Sequence, residues 1–299
     1  MRIPVPQVAA IHDLSGFGRA SLTVAIPVLS AMGVQVCPLP TAVLSTQTSG
    51  FDDFCFVDLS VPMRDFLAHW RRLGLLFDAV YSGFLGAPEQ TATVGECIEH
   101  CLRDDGLAVV DPVLGDNGRL DPTMSMEMVE AMRLMIGRAH CITPNLTEAA
   151  MLLGETMPDA AVDQRKGVMD VTTAKDWLAR LARMGPSMTV ITSVPFTDRE
   201  REGSSTIAYN GVEDRFWRVD CDYIPAFYPG TGDAFTSALT GGLLRGDSLP
   251  LAMDRAVQFV TLGLRATFGY SLPAREGIIL EKALDFLRAP LVHSTYKIL

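Results

Sequence analysis

The chain has 299 residues, 48% of them hydrophobic and 20% charged, with a formal net charge of -10 and a pI of about 5.0. That composition suits a large buried core, in one α/β domain or two smaller ones by length alone. The acidic balance argues against a general nucleic-acid binder, which needs a basic footprint.

No apolar run reaches the roughly 18 residues of a membrane span. The N-terminal stretch MRIPVPQVAAIHD meets an acid too soon for a signal peptide, so the cytoplasm is the expected location, with neither nucleic acid nor membrane as partner. From there apolar runs alternate with helical patterns. VAAIHD (8–13) reads as a strand, TVAIPVLSAMG (23–33) as a helix and VQVCPLPTAVLS (34–45) as extended. FLAHWRRLGLL (66–76) is helical, DAVYSGFL (78–85) a strand and EQTATVGECIEHCLRD (89–104) a helix. LAVVDPVLG (107–115) is an apolar strand ending in Asp-Pro, MSMEMVEAMRLMIGRA (124–139) a helix and HCITPN (140–145) a short strand. Helices at 146–154 and 172–185 lead to the strand MTVITSVPF (188–196). The segment 204–224 then reads as a hairpin turning at NGVED, and two or three helices follow from Gly232. Apolar strands alternating with helices predict parallel βαβ units: an α/β fold with a central, mostly parallel sheet and helices on both faces. No linker, repeat or low-complexity segment divides the chain, so one domain is the simplest reading.

The six cysteines are scattered, which favours reduced core residues over a disulfide framework. Cys97, His100 and Cys101 stand at helical spacing, but a zinc site needs further ligands at matching spacing and none stands out. A helix with one buried face accounts for them.

Open parallel sheets bind ligands beyond the carboxyl ends of their strands. The notable polar residues fall there: Asp13, the run Ser45-Thr46-Gln47-Thr48, Ser82-Gly83, Asp111, Asn145 and Thr192-Ser193 each follow an apolar strand. Their convergence points to one cleft. YPGTGDAF (228–235) is the sharpest motif, and it reads two ways. Gly230 and Gly232 allow close approach of an anion to a helix N-terminus, whose free N–H groups and partial positive charge favour phosphate. Alternatively Asp233 is a plain helix cap and the glycines make a turn. No GxxxxGK[ST] loop is present, and Gly241-Gly-Leu-Leu-Arg-Gly246-Asp-Ser has Asp where lysine is needed. Glu148 and Asp111 together have the hard oxygen chemistry that Mg²⁺ accepts, although Asn145 or Thr147 as a cap with Glu148 in the first turn explains that stretch by itself. Gly16-Phe-Gly18 invites a dinucleotide reading, but Ser21 replaces the third glycine and no acid ends the next strand, which sets a nicotinamide-dependent oxidoreductase aside.

Taken together, GTGD preceded by a hairpin, DPV, TPNLTE and ITS resemble the ribokinase-like kinases, and TAVLSTQTSG, YSGFLG, VVDPVLGDNG and FYPGTGDAF resemble their vitamin B6 branch, the pyridoxal/pyridoxamine kinases. The likeness runs from about Val8 to about Leu287. It implies a single ribokinase-like domain over residues 1–290, followed by a tail, 291–299, of no assigned role. It further implies transfer of the ATP γ-phosphoryl group to the 5′-hydroxymethyl group of a B6 vitamer. Asp233 would be the general base, and the N–H groups of Gly230, Thr231 and Gly232 the anion hole. Asp111 and Glu148 match acids near Mg²⁺ and the phosphates; Asn145, Thr192 and Ser193 match residues on the ATP side. Members of that family often use a monovalent cation such as K⁺ and form homodimers. On the substrate side, Ser45, Gln47, Thr48, Phe84, Asp13 and Asp233 are the candidates. Asp13 stands where better-known B6 kinases have a serine facing the pyridine ring, Gln47 where many have histidine, and Phe84 where they have tyrosine. The Asp13 carboxylate is expected to favour a cationic vitamer, pyridoxamine over pyridoxal. The loop GDNGRLDP (115–122) reads as a lid or as an ordinary surface loop. Hydroxymethylpyrimidine kinase activity in the same superfamily and a non-catalytic nucleotide-binding regulator remain the competing readings.

Overall fold

The computed structural model describes residues 4–156, 169–198, 203–222, 224, 226–270 and 272–299. Tyr223, near the end of the expected hairpin, residues 1–3 of the N-terminal stretch, and residues 157–168, 199–202, 225 and 271 of the expected domain lie outside them.

Six parallel strands form the centre of the sheet: β1 (Gln7–Ser15), β2 (Gln35–Leu44), β4 (Phe77–Ser82), β5 (Leu102–Val110), β8 (Cys141–Ile142) and β9 (Met188–Val194). Antiparallel strands extend both sides: β3 (Phe56–Asp58) beside β2, and β10 (Gly203–Asn210), β11 (Arg215–Asp222) and β12 (Lys297–Ile298) beyond β9. The order across this ten-stranded sheet is β12-β11-β10-β9-β8-β5-β4-β1-β2-β3. A separate two-stranded hairpin joins β6 (Gly115–Asp116) to β7 (Arg119–Leu120).

Strand alternation sorts the core into two faces. Ile11, Val80 and Val110 turn to the face covered by α2 (Ser60–Arg72), α3 (Gln90–Cys101), α4 (Met126–Ile136), α5 (Leu146–Leu153) and α6 (Val171–Ala182). Val8, Tyr81 and Val109 turn to the face covered by α1 (Leu22–Ala31), α7 (Thr231–Leu244) and α8 (Leu249–Phe268). The chain is therefore a single α/β domain with a central, mostly parallel sheet and helices on both faces, as its sequence pattern predicts. Among the described residues no helix is long and apolar enough to cross a membrane.

Three elements differ from expectation. α2 starts at Ser60, six residues before the predicted helix, because Asp58 accepts from both the backbone N–H and the hydroxyl of Ser60 and Pro62 is tolerated in a first turn. α3 stops at Cys101, since Leu102 is already extended at φ -86°, ψ 139° and pairs with Phe77; Asp104-Asp105-Gly106 disfavours further helix. The tail at 291–299 is a structural strap. Ile298 pairs with Trp217 on β11, and the Thr295 hydroxyl donates to the fully buried Asp254 at 2.8 Å.

Candidate active site

The carboxyl ends of the parallel strands and the N-terminus of α7 enclose a cleft of about 250 Å³. Asp13, Gln47, Thr48, Phe84, Asp111, Asn145, Glu148, Thr192, Ser193, Gly230, Thr231, Gly232 and Asp233 all line it. Ser45 does not: it is exposed, and its Oγ accepts the Cys55 N–H at 2.9 Å.

The two readings of GTGD separate here. The residue preceding α7 is Gly230, at φ 81°, and no side chain caps the helix. A Cβ on Gly230 would overlap the Arg19 carbonyl, so only glycine fits this close, left-handed turn. The first intrahelical bond runs from Ala234 N–H to Gly230 O, which leaves the earlier N–H groups without helical acceptors, as in any first turn. Asp233, in that turn, directs Oδ2 away from the helix to accept the Ser21 N–H at 2.8 Å. It is not a cap. Its side chain keeps 13% exposure toward the cleft. Burial raises its pKa to about 7, the Asp13 charge adds to the rise and the Ser21 N–H opposes it.

Asp111 stands just past β5, opposite the glycine turn, with the Thr236 hydroxyl donating to Oδ2 at 3.3 Å. Burial and then the Asp233 charge push its pKa up. Glu148 closes a capping box on α5: Asn145 Oδ1 accepts the Glu148 N–H at 2.9 Å, and Glu148 Oε2 accepts the Asn145 N–H at 2.7 Å. Its Oε1 accepts the Leu114 N–H at 3.1 Å. Burial and the Asp111 charge also raise the pKa of Glu148. Each of these two pKa values is raised in part by a neighbouring carboxylate, so negative charge is concentrated at this end of the cleft. Among the described residues no group of three or more His, Cys, Asp or Glu side chains gathers as a metal cage. The two carboxylates Asp111 and Glu148 still fit Mg²⁺, which binds through one or two carboxylates and takes its other ligands from water and substrate phosphate.

Asn145 is held over the cleft by a bridge to Thr192 and by its Nδ2 donating to Gly115 O at 2.8 Å. Ser193 follows at φ 60°, a strained geometry for a non-glycine residue. Thr192 and Ser193 also line a neighbouring cavity of about 200 Å³ walled by Phe227, Phe235, Val257, Val260 and Leu264. The segment 115–122 forms the β6–β7 hairpin over an Asn117-Gly118 turn, both at positive φ, and Gly118 N–H donates to Thr147 Oγ1 at 2.9 Å.

On the other side, Asp13 is 4% exposed and accepts the Ser15 hydroxyl at 2.8 Å. Burial raises its pKa, and the Ser21 and Ser15 hydroxyls oppose that. Gln47 spends its amide internally: Nε2 donates to Arg275 O at 2.9 Å and to Ser49 O, and Oε1 accepts the Ser49 N–H at 2.6 Å. The amide therefore shapes the wall. Phe84, 9% exposed, offers a ring.

Sequence reasoning missed Ser21, Ser15, Asp116, Asp121 and Tyr228, which also line the cleft, and His12, which stands behind Asp233. Asp116 and Asp121 fall in the loop 115–122, whose reading as a lid would have brought them to the cleft; nothing local marks Ser21, whose role depends on a residue 212 positions away.

The family model for phosphomethylpyrimidine kinase matches residues 18–275. A pyridoxine/pyridoxal/pyridoxamine kinase of Bordetella bronchiseptica is 28% identical over 273 residues, 88% of this chain and 90% of that one. A hydroxymethylpyrimidine/phosphomethylpyrimidine kinase of Mycobacterium tuberculosis is 27% identical over 265 residues, again 88% and 90%. Among solved structures, a Bacteroides thetaiotaomicron protein assigned as a phosphomethylpyrimidine kinase and crystallised with pyridoxal superposes with a TM-score of 0.92 at 49% identity, covering 99% of this chain and 100% of that one.

Proposed function

Because the chain belongs to the phosphomethylpyrimidine kinase family and is thereby a kinase, we propose that it transfers the γ-phosphoryl group of ATP to the 5′-hydroxymethyl oxygen of a vitamin B6 vitamer. The observation that carries this reading is Asp233: a carboxylate in the first turn of α7, held by the Ser21 N–H and facing the cleft beside uncapped helix N–H groups. An alcohol attacking phosphorus needs a proton acceptor at hand, and a transferring phosphoryl group needs positive dipoles.

In the step, the vitamer oxygen forms a bond to the γ-phosphorus and the bond from that phosphorus to the β–γ bridging oxygen breaks. The alcohol proton passes to Asp233, and ADP leaves with the bridging oxygen. The N–H groups of Gly230, Thr231 and Gly232 hold the phosphoryl oxygens. Thr192, Ser193 and Asn145 orient the phosphate chain, and the apolar cavity beside them receives the base of the nucleotide. Asp111 and Glu148 would hold Mg²⁺, which would supply neutralisation of phosphate charge. On the vitamer side Phe84, Thr48 and the Gln47 wall flank the ring, and Asp13 faces its polar edge. Ser45 enters only through the loop whose shape it supports. The relative crystallised with pyridoxal supports a B6 vitamer as the acceptor.

A second reading, hydroxymethylpyrimidine kinase, is favoured by the family description and by the mycobacterial relative. Both acceptors are flat heteroaromatic alcohols. A coupled assay of ADP release with pyridoxal, pyridoxamine, pyridoxine and hydroxymethylpyrimidine decides between them. We expect the highest kcat/KM with a B6 vitamer. Turnover confined to hydroxymethylpyrimidine overturns the proposal, and no turnover with any acceptor favours a binding-only protein. Repeating the assay with Na⁺ in place of K⁺ tests the monovalent cation.

A further inference from the structure

His12 has no task in the transfer just described, yet it sits behind the base. Alternation along β1 turns Asp13 to one face of the sheet and His12 to the face covered by α7. The ring is fully buried and packs edge-on against Tyr81, with centroids 4.3 Å apart at 79°. Its Nδ1 lies 3.8 Å from Oδ1 of Asp233, the oxygen that Ser21 does not hold. Among the described residues neither ring nitrogen has a hydrogen-bond partner. Burying two polar nitrogens without partners lowers stability, and an aliphatic side chain would fill the space without that penalty. A Cβ on Gly83 would overlap Nδ1, so the glycine leaves room for the ring at this position.

Burial pushes the imidazole pKa down to about 3. The ring is therefore neutral, the 3.8 Å approach is not an ion pair, and the ring cannot store the proton of the alcohol. A neutral imidazole carries one N–H. With the proton on Nδ1, a closure of about 1 Å makes a hydrogen bond to the carboxylate.

We propose that His12 is a positioning residue for Asp233: its neutral Nδ1–H donates to Oδ1 in the substrate complex, while the Ser21 N–H holds Oδ2, and the carboxylate plane is locked toward the attacking alcohol. This rests on the reading of Asp233 as the base.

His12→Leu and His12→Asn test it, because the two side chains are nearly isosteric and only Asn carries an N–H close to the place of Nδ1. His12→Leu is expected to lower kcat by about 10- to 100-fold, the loss of one hydrogen bond to a charged group. KM for ATP and vitamer should stay within about threefold, because the bond acts on the chemical step. His12→Asn is expected to stay within about fivefold of wild-type kcat, its donor replacing Nδ1–H. Gly83→Ala crowds the ring without altering it and is expected to lower kcat as His12→Leu does, which decides the matter should His12→Leu fail to fold. Equal kcat in the Leu and Asn variants, or a loss confined to KM, overturns the inference. If Asp233→Asn keeps near-normal turnover, the assignment of the base falls and this inference with it. If Asp233→Asn is inactive while His12→Leu is wild-type, this inference alone falls.

Discussion

Asp233 meets two demands that pull against each other: it must be buried enough to keep water from the reacting phosphoryl group, and ionised enough to take a proton. Burial sets its pKa near 7. A general base works only when ionised, so kcat/KM is expected to fall as the pH drops below about 7 and to level off above it. Asp233→Asn is expected to cost about 10²- to 10⁴-fold in kcat, the usual range for a base. The same group affects stability. From about pH 4, the unfolded value, up to about 7, the folded chain keeps a proton that the unfolded chain has released. Stability contributed by this group is therefore lost as the pH rises through that window. Asp233→Asn removes the penalty: its Tm should match wild type near pH 4 and exceed it at pH 8, measured by scanning fluorimetry. A Tm below wild type at pH 8 would contradict the buried, raised carboxyl. Asp13 belongs to specificity. Asp13→Asn is expected to lower the pyridoxamine-to-pyridoxal ratio of kcat/KM by about tenfold, one charge-assisted hydrogen bond's difference, and an unchanged ratio removes Asp13 from that role.

Two helix starts build the phosphate side of the cleft, and they do it differently. α5 is closed by a full capping box, whereas α7 has no side-chain cap at all. Capping α5 also fixes the Glu148 carboxylate, so the element and the proposed metal site share their hydrogen bonds. Asn145→Ala is expected to destabilise the protein by about 1 kcal/mol and to raise the Mg²⁺ concentration needed for half-maximal rate; an unchanged Mg²⁺ requirement would separate the cap from the metal. At α7 the opening is the point, since uncapped N–H groups remain for an anion. Gly230 makes the turn possible, and Gly230→Ala, with its left-handed φ and a Cβ against the Arg19 carbonyl, should cost about 2–4 kcal/mol, read from denaturant unfolding. Both starts were legible as glycine- or asparagine-marked helix beginnings. The cap on α5 was legible too; whether Asp233 capped α7 was not, because that carboxylate is claimed by Ser21 from another part of the chain.

Across the whole molecule, βαβ crossovers bring the ends of β1, β5, β8 and β9 to one edge, and α7 closes over them from the opposite end of the sequence. The tail completes the other side. It adds β12 to the sheet and supplies Thr295 to the buried Asp254, with Gln258 donating to both Asp254 and the His293 carbonyl. Deleting residues 291–299 is expected to destabilise the protein by about 1–3 kcal/mol, the cost of a buried acceptor left short of donors. It should leave kcat nearly unchanged, because the strap's strand pairing and its bonds to Asp254 and Gln258 involve no residue that lines the cleft. A loss of kcat at unchanged Tm would contradict that assignment.

Composition, alternation and turn residues determined the α/β class, nearly every central strand, and the clustering of Asp13, Asp111, Asn145, Glu148, Thr192 and Asp233 around one cleft. Those are local signals: strand periodicity is carried by neighbouring side chains, and strand-end polar residues follow from the exposure of loops. What only the tertiary structure decided depends on distant partners. Ser21 holds the Asp233 carboxylate, His12 lies behind it in space that Gly83 leaves open, Ser45 turns out of the cleft, and the tail reaches Asp254. No window of sequence reports these, since each is set by packing between segments that are far apart in the chain and meet only when the sheet is assembled.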